Sequence, residues 1–585
     1  QAQPAPYVAE AKVAVKRAIP LLQKSGQTWL DRVRCTSCHH QSMGFVALKV
    51  AKDNGFRIDE GALRKQLLES DKRRARYTDP MLELTGAING VSGHGYQLLA
   101  QTALGTPASN YTDNAGFFLT AKQPAKGYWV STSHRPPMED SAFTVTATSI
   151  RALRAYPAGK EGEAAIARGR QWLVRTKPTN AEGRAMKLLG LVWSGASRFE
   201  IAKARQAILR EQLPDGGWAQ TTGRKSDAYA TGQAMVALGA AGTSHRAKAI
   251  TLGAKYLVST QKPDGSWLVP TRRVVSGLPY FETGFPHGID QFISYAGSAW
   301  ATTALSAYAS TGNLTALKSV SPQRRIDKPT LLAKNPKDHA LLHAAWHGTA
   351  TDVRNALAKG GSPNAKTTAG TTALMLAARD SAKVEALLSA GANPNGVSPN
   401  GATALSLASG TYGALPSMRL LLAAKANPNK GPNQETPLSH ALQTHENERI
   451  TLLLDAGAKL EPLSLLMAYS VADLDAMEIV LQRGFDVNTE NPLYGGNAVN
   501  DAVVDRQLEI LALVLRYGGN PNVIDKEGFS PLQVAALGDP ENWKLVQLLL
   551  DAGSRRDHRT KTRPTALTLA KKAGNAESLK LLSGG

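Results

Sequence analysis

The sequence TTALMLAARDSAKVEALLSAGANPN, residues 371–395, carries the pattern that decides the fold of the second half of the chain. It opens with Thr372-Ala373-Leu374, continues with the amphipathic run Val384-Glu385-Ala386-Leu387-Leu388, and closes with Gly391-Ala392-Asn393-Pro394-Asn395. The opening phrase returns at Thr403-Ala404-Leu405, Thr436-Pro437-Leu438, Ser530-Pro531-Leu532 and Thr565-Ala566-Leu567. The closing phrase returns at Lys425-Ala426-Asn427-Pro428-Asn429, Gly484-Phe485-Asp486-Val487-Asn488 and Gly519-Asn520-Pro521-Asn522. Motifs that recur at about 33 residues predict a stack of helical repeats.

The opening phrases resemble the Thr-Pro-Leu-His-x-Ala signature that begins the first helix of an ankyrin repeat, and the closing phrases resemble the turn between repeats. This resemblance implies about eight repeats over residues 338–585, of which the fifth and sixth fit poorly and the last is a cap. Such a stack buries its core between neighbouring repeats and presents a concave surface. We therefore expect this half to bind a protein partner.

A longer and more variable repeat marks the first half. Its phrase is Gln212-Leu213-Pro214-Asp215-Gly216-Gly217-Trp218, which returns as Gln261-Lys262-Pro263-Asp264-Gly265-Ser266-Trp267, in shorter form between Gln123 and Trp129, and loosely over Gln23–Trp29. These phrases resemble the Gln-Trp repeats of squalene-hopene cyclases and the related protein prenyltransferases. The resemblance covers about residues 7–316 and implies an α/α toroid of about six inner and six outer helices around a cavity.

The expected architecture is therefore all-α, with a terpenoid cyclase-like α6/α6 toroid over residues 1–320 and ankyrin repeats over residues 338–585. Residues 321–337 between them are polar, contain prolines and predict a linker. The chain begins Gln1-Ala2-Gln3-Pro4, which we interpret as a mature chain whose secretory signal has been removed. It contains no run of about 18 apolar residues, so we expect no transmembrane segment.

The net charge of +21 favours association with an anionic partner, such as nucleic acid, a membrane surface or an acidic protein. No finger, helix-turn-helix or base-stacking signature accompanies it, so we do not expect nucleic acid binding. Basic runs such as Lys72-Arg73-Arg74-Ala75-Arg76 are interpreted as solvated faces.

The only two cysteines of the chain lie in one motif, Cys35-Thr36-Ser37-Cys38-His39. Cys-x-x-Cys-His is the attachment signature of c-type haem: the thiols bond to the porphyrin and the histidine supplies the proximal iron ligand. A thioredoxin-like dithiol is the nearest alternative, but no βαβ pattern surrounds the motif. A zinc site would need a second pair of ligands. We expect one covalent haem c held by Cys35, Cys38 and His39, and hence a periplasmic or otherwise secreted protein.

The motif precedes the apolar run that starts at Phe45, where the first inner helix is expected to begin. If the repeats are equivalent, the loops before the other inner helices lie at the same end of the toroid. They hold the candidate distal ligands His287 and His94, and the candidate haem-pocket residues Asp227, Tyr229, Asp290, Glu139 and Asp140. His287 is preferred, with Asp290 as a candidate acceptor for its imidazole proton. Asp140 with Ser141, Asp227 and Asp290 have a helix N-cap as their plain alternative.

Three functions follow from these patterns. Electron transfer to or from a redox protein docked on the ankyrin repeats is the first, and a haem-dependent oxidoreductase of the peroxidase or oxygenase type, with substrate in the toroid cavity, is the second. A terpenoid cyclase-like enzyme is disfavoured, because the family's Asp-x-Asp-Asp-Thr-Ala run is replaced here by Pro137-Met138-Glu139-Asp140-Ser141-Ala142. An aromatic content of 6% is also low for a cavity that stabilises carbocations.

Overall fold

The computed structural model describes residues 6–33, 40–85, 90–133, 135–272, 282–318, 320–325, 333, 335–432, 435–492, 495–537, 542–560 and 563–584. These residues form helices and turns with isolated bridges and no β-strand, which confirms the predicted all-α class. The chain divides into two compact units. The first comprises Gln1–Thr132, Pro137–Thr271 and Tyr280–Leu331, and the second comprises Ser133–Pro136, Arg272–Pro279 and Leu332–Gly585.

The helices of the first unit alternate between two layers. They are α1 (Val8–Arg32), α2 (His40–Asp53), α3 (Glu60–Ala75), α4 (Gly90–Leu104), α5 (Asn110–Ala121), α6 (Ala142–Ala155), α7 (Gly159–Arg175), α8 (Ala181–Ser194), α9 (Arg198–Leu209), α10 (Ala228–Ala240), α11 (Lys248–Thr260), α12 (Gln291–Tyr308) and the short α13 (Thr315–Lys318). Among the even-numbered helices, each from α2 to α10 contacts the next, and α12 contacts α2. These six helices therefore form a closed cycle. Helices α1, α5, α7, α9 and α11 pack against it, and α3 packs on α1.

Each tryptophan of the repeated phrase has the same role. Its buried indole Nε1 donates to a carbonyl near the end of the preceding odd-numbered helix, at 2.7 Å from Trp129 to Leu119, 2.9 Å from Trp218 to Ile208 and 2.8 Å from Trp267 to Leu257. Burying an indole without such an acceptor is costly. The phrase therefore ends each of these helices at a defined point and turns the chain towards the next even-numbered helix.

The glutamine of the phrase joins one odd-numbered helix to the next. Its Nε2 donates to the glycine carbonyl within its own phrase and to a helix carbonyl beyond, at 2.9 Å from Gln123 to Ala165, 2.8 Å from Gln212 to Ala249 and 2.9 Å from Gln261 to Ala14. Ala14 lies in α1, whereas Gln261 directly follows α11. The last copy of the phrase thus bonds back to the first helix of the unit.

The proposed fourth copy of the phrase is wrong. Residues Gln23–Trp29 lie inside the continuous helix α1, so they form no turn. Gln23 instead pairs with the residue that caps α3: its Nε2 donates to the Asp59 carbonyl at 2.8 Å, and the Asp59 N–H donates to its Oε1 at 3.1 Å. The residue types of this segment resemble those of the turn phrase, but they do not show whether the segment forms a turn or continues a helix.

The described helices of the second unit form eight successive pairs. They are α14 (Pro336–His347), α15 (Ala350–Ala358), α16 (Ala373–Leu376), α17 (Ser381–Ser389), α18 (Ala404–Ser409), α19 (Leu415–Ala423), α20 (Pro437–Ala441), α21 (Asn447–Asp455), α22 (Ser464–Ser470), α23 (Leu474–Gln482), α24 (Ala498–Val504), α25 (Leu508–Arg516), α26 (Pro531–Leu537), α27 (Trp543–Asp551), α28 (Ala566–Ala573) and α29 (Ala576–Leu582). The threonine of the opening phrase caps the first helix: Thr372 and Thr403 each accept from the N–H three residues on. This capping explains why that residue recurs.

Asparagines of the closing phrases link consecutive repeats on the surface. Asn395 Nδ2 donates to the Lys425 carbonyl at 2.9 Å, and its Oδ1 accepts the Asn427 N–H at 2.7 Å. Asn364, Asn429, Asn488 and Asn522 make the same pair of bonds to the repeat that follows each of them. We call this series the asparagine ladder.

Candidate functional site

The motif Cys35-Thr36-Ser37-Cys38-His39 lies outside the described residues, and so does His134. The residues on either side of the motif are described: α1 ends at Arg32 and α2 begins at His40. The motif therefore belongs to the connection between an odd-numbered helix and the first helix of the closed cycle.

His40 anchors the start of α2. It is buried, and its ring stacks on Tyr295 at 3.6 Å and on Trp29 at 5.3 Å between centroids. Its Nε2 lies 3.1 Å from Ser25 Oγ. These contacts tie the residue that follows the motif to both α1 and α12.

Arginines of the basic run secure the other side of the motif. Arg73 donates to the Val33 carbonyl at 2.6 Å and to the Leu30 carbonyl at 2.7 Å, which holds α3 against the end of α1. Arg74 is buried, pairs with Asp71, and lies over the Tyr111 ring at 5.9 Å; its burial lowers the pKa of the guanidinium. The interpretation of this run as a solvated face is therefore wrong at Arg73 and Arg74.

His94 lies in the second turn of α4 and is 1% exposed. Its Nδ1 is 3.1 Å from Tyr111 Oη, and Phe118 packs edge-on against its ring. Its Nε2 is buried and has no hydrogen-bond partner among the described residues. Burial lowers the pKa of His94 to about 4, so its imidazole is neutral at pH 7.

His287 and Asp290 do not pair with each other. His287 Nε2 is 2.7 Å from Ser266 Oγ, and the Asp290 carboxylate accepts the Thr271 N–H at 2.7 Å. His287 is partly exposed and adopts a left-handed backbone with φ of 85°. Burial is the main cause that lowers its pKa. This histidine therefore belongs to the last copy of the Gln-Trp phrase, where it supports the turn.

Two of the capping alternatives are confirmed. Asp227 is the N-cap of α10 and accepts the Ala230 N–H at 2.9 Å; burial raises its pKa to about 6. Ser141 is the N-cap of α6 and accepts the Thr144 N–H at 3.4 Å, while Asp140 precedes it. Glu139 is buried, and its backbone carbonyl accepts from Ser131 Oγ at 2.8 Å.

Tyr229 belongs to a cluster that sequence reasoning missed, centred on Glu182 at the start of α8. The carboxylate of Glu182 accepts from Thr144 Oγ1 at 2.6 Å, from Tyr229 Oη at 2.8 Å and from Gln233 Nε2 at 2.7 Å. Burial raises the pKa of Glu182, and the negative charge of Asp140 adds to this effect. The cluster joins α6, α8 and α10. In the sequence, Glu182 looks like an ordinary acidic residue in the first turn of a helix, so nothing in the sequence pattern indicated that it lies in a buried cluster.

The described surroundings of the motif are compatible with a haem group. Aromatic side chains cluster at the start of α2, where Phe292 packs edge-on against Trp29 at 5.9 Å. The neighbouring helix α4 contacts α2 and holds the unpartnered Nε2 of His94. Neutral imidazole nitrogen is a ligand that haem iron accepts. Separately, the part of the chain that the structure describes contains no group of three or more His, Cys, Asp or Glu residues arranged to hold a metal ion by themselves.

None of the described helices combines the length and the apolar character needed to cross a membrane.

Comparison with known proteins identifies ankyrin repeats in the second unit. The family profile described as ankyrin repeats (3 copies) matches residues 341–430. Ankyrin repeat and SOCS box protein 6 of Mus musculus is 33% identical over 117 residues, which make up 19% of this chain and 28% of that protein. The crystal structure of the human ASB11 ankyrin repeat domain is 23% identical, and the match covers 43% of this chain and 99% of that one with a TM-score of 0.28. The prediction of ankyrin repeats, which generally mediate protein–protein interaction, is confirmed.

Proposed function

We propose that this chain is a periplasmic or otherwise secreted mono-haem c-type cytochrome, which transfers electrons to or from a redox protein recruited by its ankyrin repeats. The observation that carries the proposal is the Cys35-x-x-Cys38-His39 motif in a chain with only two cysteines. The secreted location rests on the same motif, because c-type haem is attached outside the cytoplasm.

The cysteines and the histidine of the motif would have different roles in binding the cofactor. Cys35 and Cys38 would bond one haem c covalently, and His39 would supply the proximal nitrogen. Bound haem supplies one-electron chemistry at its iron. His40 and Arg73 position this segment, because they fix the residues that flank it to α12 and α3. Fixing a ligand through its neighbours is what makes a metal site reproducible.

The hydrogen-bond contacts of His94 and His287 reverse the sequence-based preference for His287 as the candidate distal ligand. His287 Nε2 already has Ser266 as a partner, whereas His94 Nε2 is buried and has none in the part of the chain that the structure describes. A buried nitrogen that lacks a partner costs about 1–3 kcal/mol, and coordination would remove that cost. We therefore place His94 before His287 on the far side of the iron.

We further infer that the first unit is an α/α toroid similar to that of squalene-hopene cyclases. The closed cycle of even-numbered helices and the bond from Gln261 back to Ala14 support this inference. Cyclase chemistry remains disfavoured, because Ser141 is engaged as a helix cap and Pro137 replaces the first acid of the family's run.

A pyridine haemochrome assay together with intact mass tests the proposal. We expect one haem per chain that survives acid-acetone extraction, and none in the Cys35→Ala/Cys38→Ala variant. A control variant, Ser37→Ala, should keep full haem content, because its side chain is not part of the signature. A mass equal to the bare polypeptide would contradict the proposal.

The spectrum of the reduced protein with carbon monoxide separates the electron carrier from the haem-dependent oxidoreductase. An iron whose two positions outside the porphyrin are both filled by protein ligands should not bind carbon monoxide, whereas an iron with one of them open should. In the His94→Ala variant we expect carbon monoxide binding to appear, while His287→Ala should behave like the parent.

A further inference from the structure

A groove runs between α1 and α3 on the first unit. Its wider part has a volume of about 980 Å³ and is lined by α1 from Ile19 to Thr28 and by residues from Arg57 to Gln66. A second part of about 540 Å³ continues past Leu30 and Asp31 towards Arg73. The two parts share Gln27 and Lys65, so they form one continuous depression.

Five of the cations along this groove have no counterion among the described residues. Lys24, Arg57, Arg64, Lys65 and Lys72 are exposed, and their side chains make no ion pair or hydrogen bond within the described part of the chain. We call these five residues the groove cations. Uncompensated cations in a concave surface focus a positive potential, because the low-dielectric walls concentrate their field.

The acids that line the same groove are already engaged. Asp59 caps α3 through the Ala62 N–H at 2.9 Å, and Asp31 accepts from Gln27 at 2.7 Å. Glu69 pairs with Arg73 at 2.9 Å, and Glu60 pairs with Lys52 at 2.8 Å. Asp59 and Asp31 keep their negative charge, because their donors are neutral, but the five groove cations outnumber these two acids, so the net charge of the groove is positive.

An apolar side chain lies among these cations. Leu68 is 57% exposed, although it is large and hydrophobic, and it lines the groove with Arg64, Lys65 and Lys72. An apolar centre inside a charged rim is the usual arrangement of a protein-binding surface.

One end of the groove lies beside the chain that precedes the predicted haem segment. Arg73 lines the groove and donates to the carbonyl of Val33, the last described residue before the motif. An electron-transfer partner must approach the cofactor closely, and a partner in this groove would contact the helix end from which the motif continues.

We propose that the groove between α1 and α3 docks an acidic electron-transfer protein, which inserts a protruding acidic loop or helix among the groove cations. This inference rests on the proposed function and names the docking face for its redox exchange, distinct from the ankyrin repeats. A concave groove of about 980 Å³ favours a protruding protein element over a membrane, because a flat lipid surface would touch the rims and leave the floor uncovered.

Binding of the full-length chain to an acidic flavodoxin tests the proposal. The affinity is measured by calorimetry at low and high salt, and reduction is followed in stopped flow. In each transfer the flavin hydroquinone gives one electron to the ferric haem and becomes the semiquinone. The test variant is Lys65→Glu/Lys72→Glu, and the matched control is Lys248→Glu/Lys255→Glu on α11, which has the same spacing, exposure and charge change.

We expect the groove variant to weaken flavodoxin binding and slow reduction about tenfold or more at low salt, with the difference shrinking at high salt. The control should change both by less than about twofold. Equal effects of the two variants would overturn the proposal, because net charge alone would then explain binding. It would also be overturned if the groove variant lost only its binding to phosphatidylglycerol vesicles. A chain that holds no haem contradicts the proposed function itself, and the haem assay on the same sample distinguishes that failure.

Discussion

The two units both repeat a short helical element, but they place the repeated polar groups in opposite surroundings. In the first unit, Trp267 is buried and Gln261 bonds across to the first helix. In the second unit, the equivalent linkage is made by asparagines such as Asn395 on the exposed surface. The glutamines are buried or half-buried and link the odd-numbered helices that pack against the closed cycle, whereas the asparagines link the repeats of the open stack along an exposed edge.

The asparagine ladder also tolerates an interruption. At the end of the fourth helix pair the closing phrase is replaced by Lys459-Leu460-Glu461, and the ladder resumes only at Asn488. The helices α21 and α23 still pack on each other across this gap. The open stack therefore depends on its apolar contacts more than on any one ladder bond, and the first unit is likewise closed by the packing of α12 on α2 as well as by the bond from Gln261 to Ala14.

The largest expected effect comes from Trp267→Ala. This change removes a fully buried indole and its bond to the Leu257 carbonyl, so we expect a loss of about 4 kcal/mol in the free energy of unfolding. Urea unfolding of the full chain, followed by circular dichroism, measures it. The control is Trp543→Ala in the second unit, where the indole is 37% exposed; we expect a loss below about 1 kcal/mol. Similar losses would contradict the contrast between the units.

A smaller effect separates two glycines with the same backbone conformation. Gly265 and Gly391 have φ of 90° and 89°, so alanine at either site is strained by about 1 kcal/mol. At Gly265 an added Cβ would also lie 2.6 Å from the Arg17 carbonyl, whereas at Gly391 it meets nothing within 4 Å. We expect Gly265→Ala to cost about 3 kcal/mol and Gly391→Ala about 1 kcal/mol in the same unfolding measurement. A larger cost for Gly391→Ala than for Gly265→Ala would contradict the close approach of Gly265 to the Arg17 carbonyl, where the first unit closes.

The smallest effect concerns a single rung of the asparagine ladder. Asn395→Ala removes two hydrogen bonds at an exposed site, so we expect a loss of about 1 kcal/mol. Faster hydrogen exchange at the Asn427 N–H, which loses its acceptor, gives the local readout. Asn447→Ala is the control, because that side chain makes no hydrogen bond within the described residues, and its exchange pattern should match the parent.

The role of a candidate site residue was predictable from the sequence only where that role depends on the neighbouring residues in the chain, as a helix N-cap does. Asp227 and Ser141 precede apolar helices and act as the N-caps that their positions suggest. Glu182 looks like the same kind of first-turn acid, yet it is the centre of a buried cluster, because three partners on α6 and α10 face it. The proposed pairing of His287 with Asp290 failed for a similar reason: Ser266 Oγ is the hydrogen-bond partner of His287 Nε2, and the Thr271 N–H donates to the Asp290 carboxylate.

Local spacing is enough to predict the all-α class, the ankyrin repeats and the Cys35–His39 motif, because each is displayed by a short or periodic pattern in the sequence. Which polar groups lack partners among the described residues follows from the packing of the helices. The burial of His94 Nε2, the position of Arg74 over the Tyr111 ring and the unpaired charges of Lys65 and Lys72 depend on residues far away in the chain. Burial and hydrogen bonding depend on neighbours in space. Buried and exposed residues of the same type therefore cannot be told apart from the sequence alone.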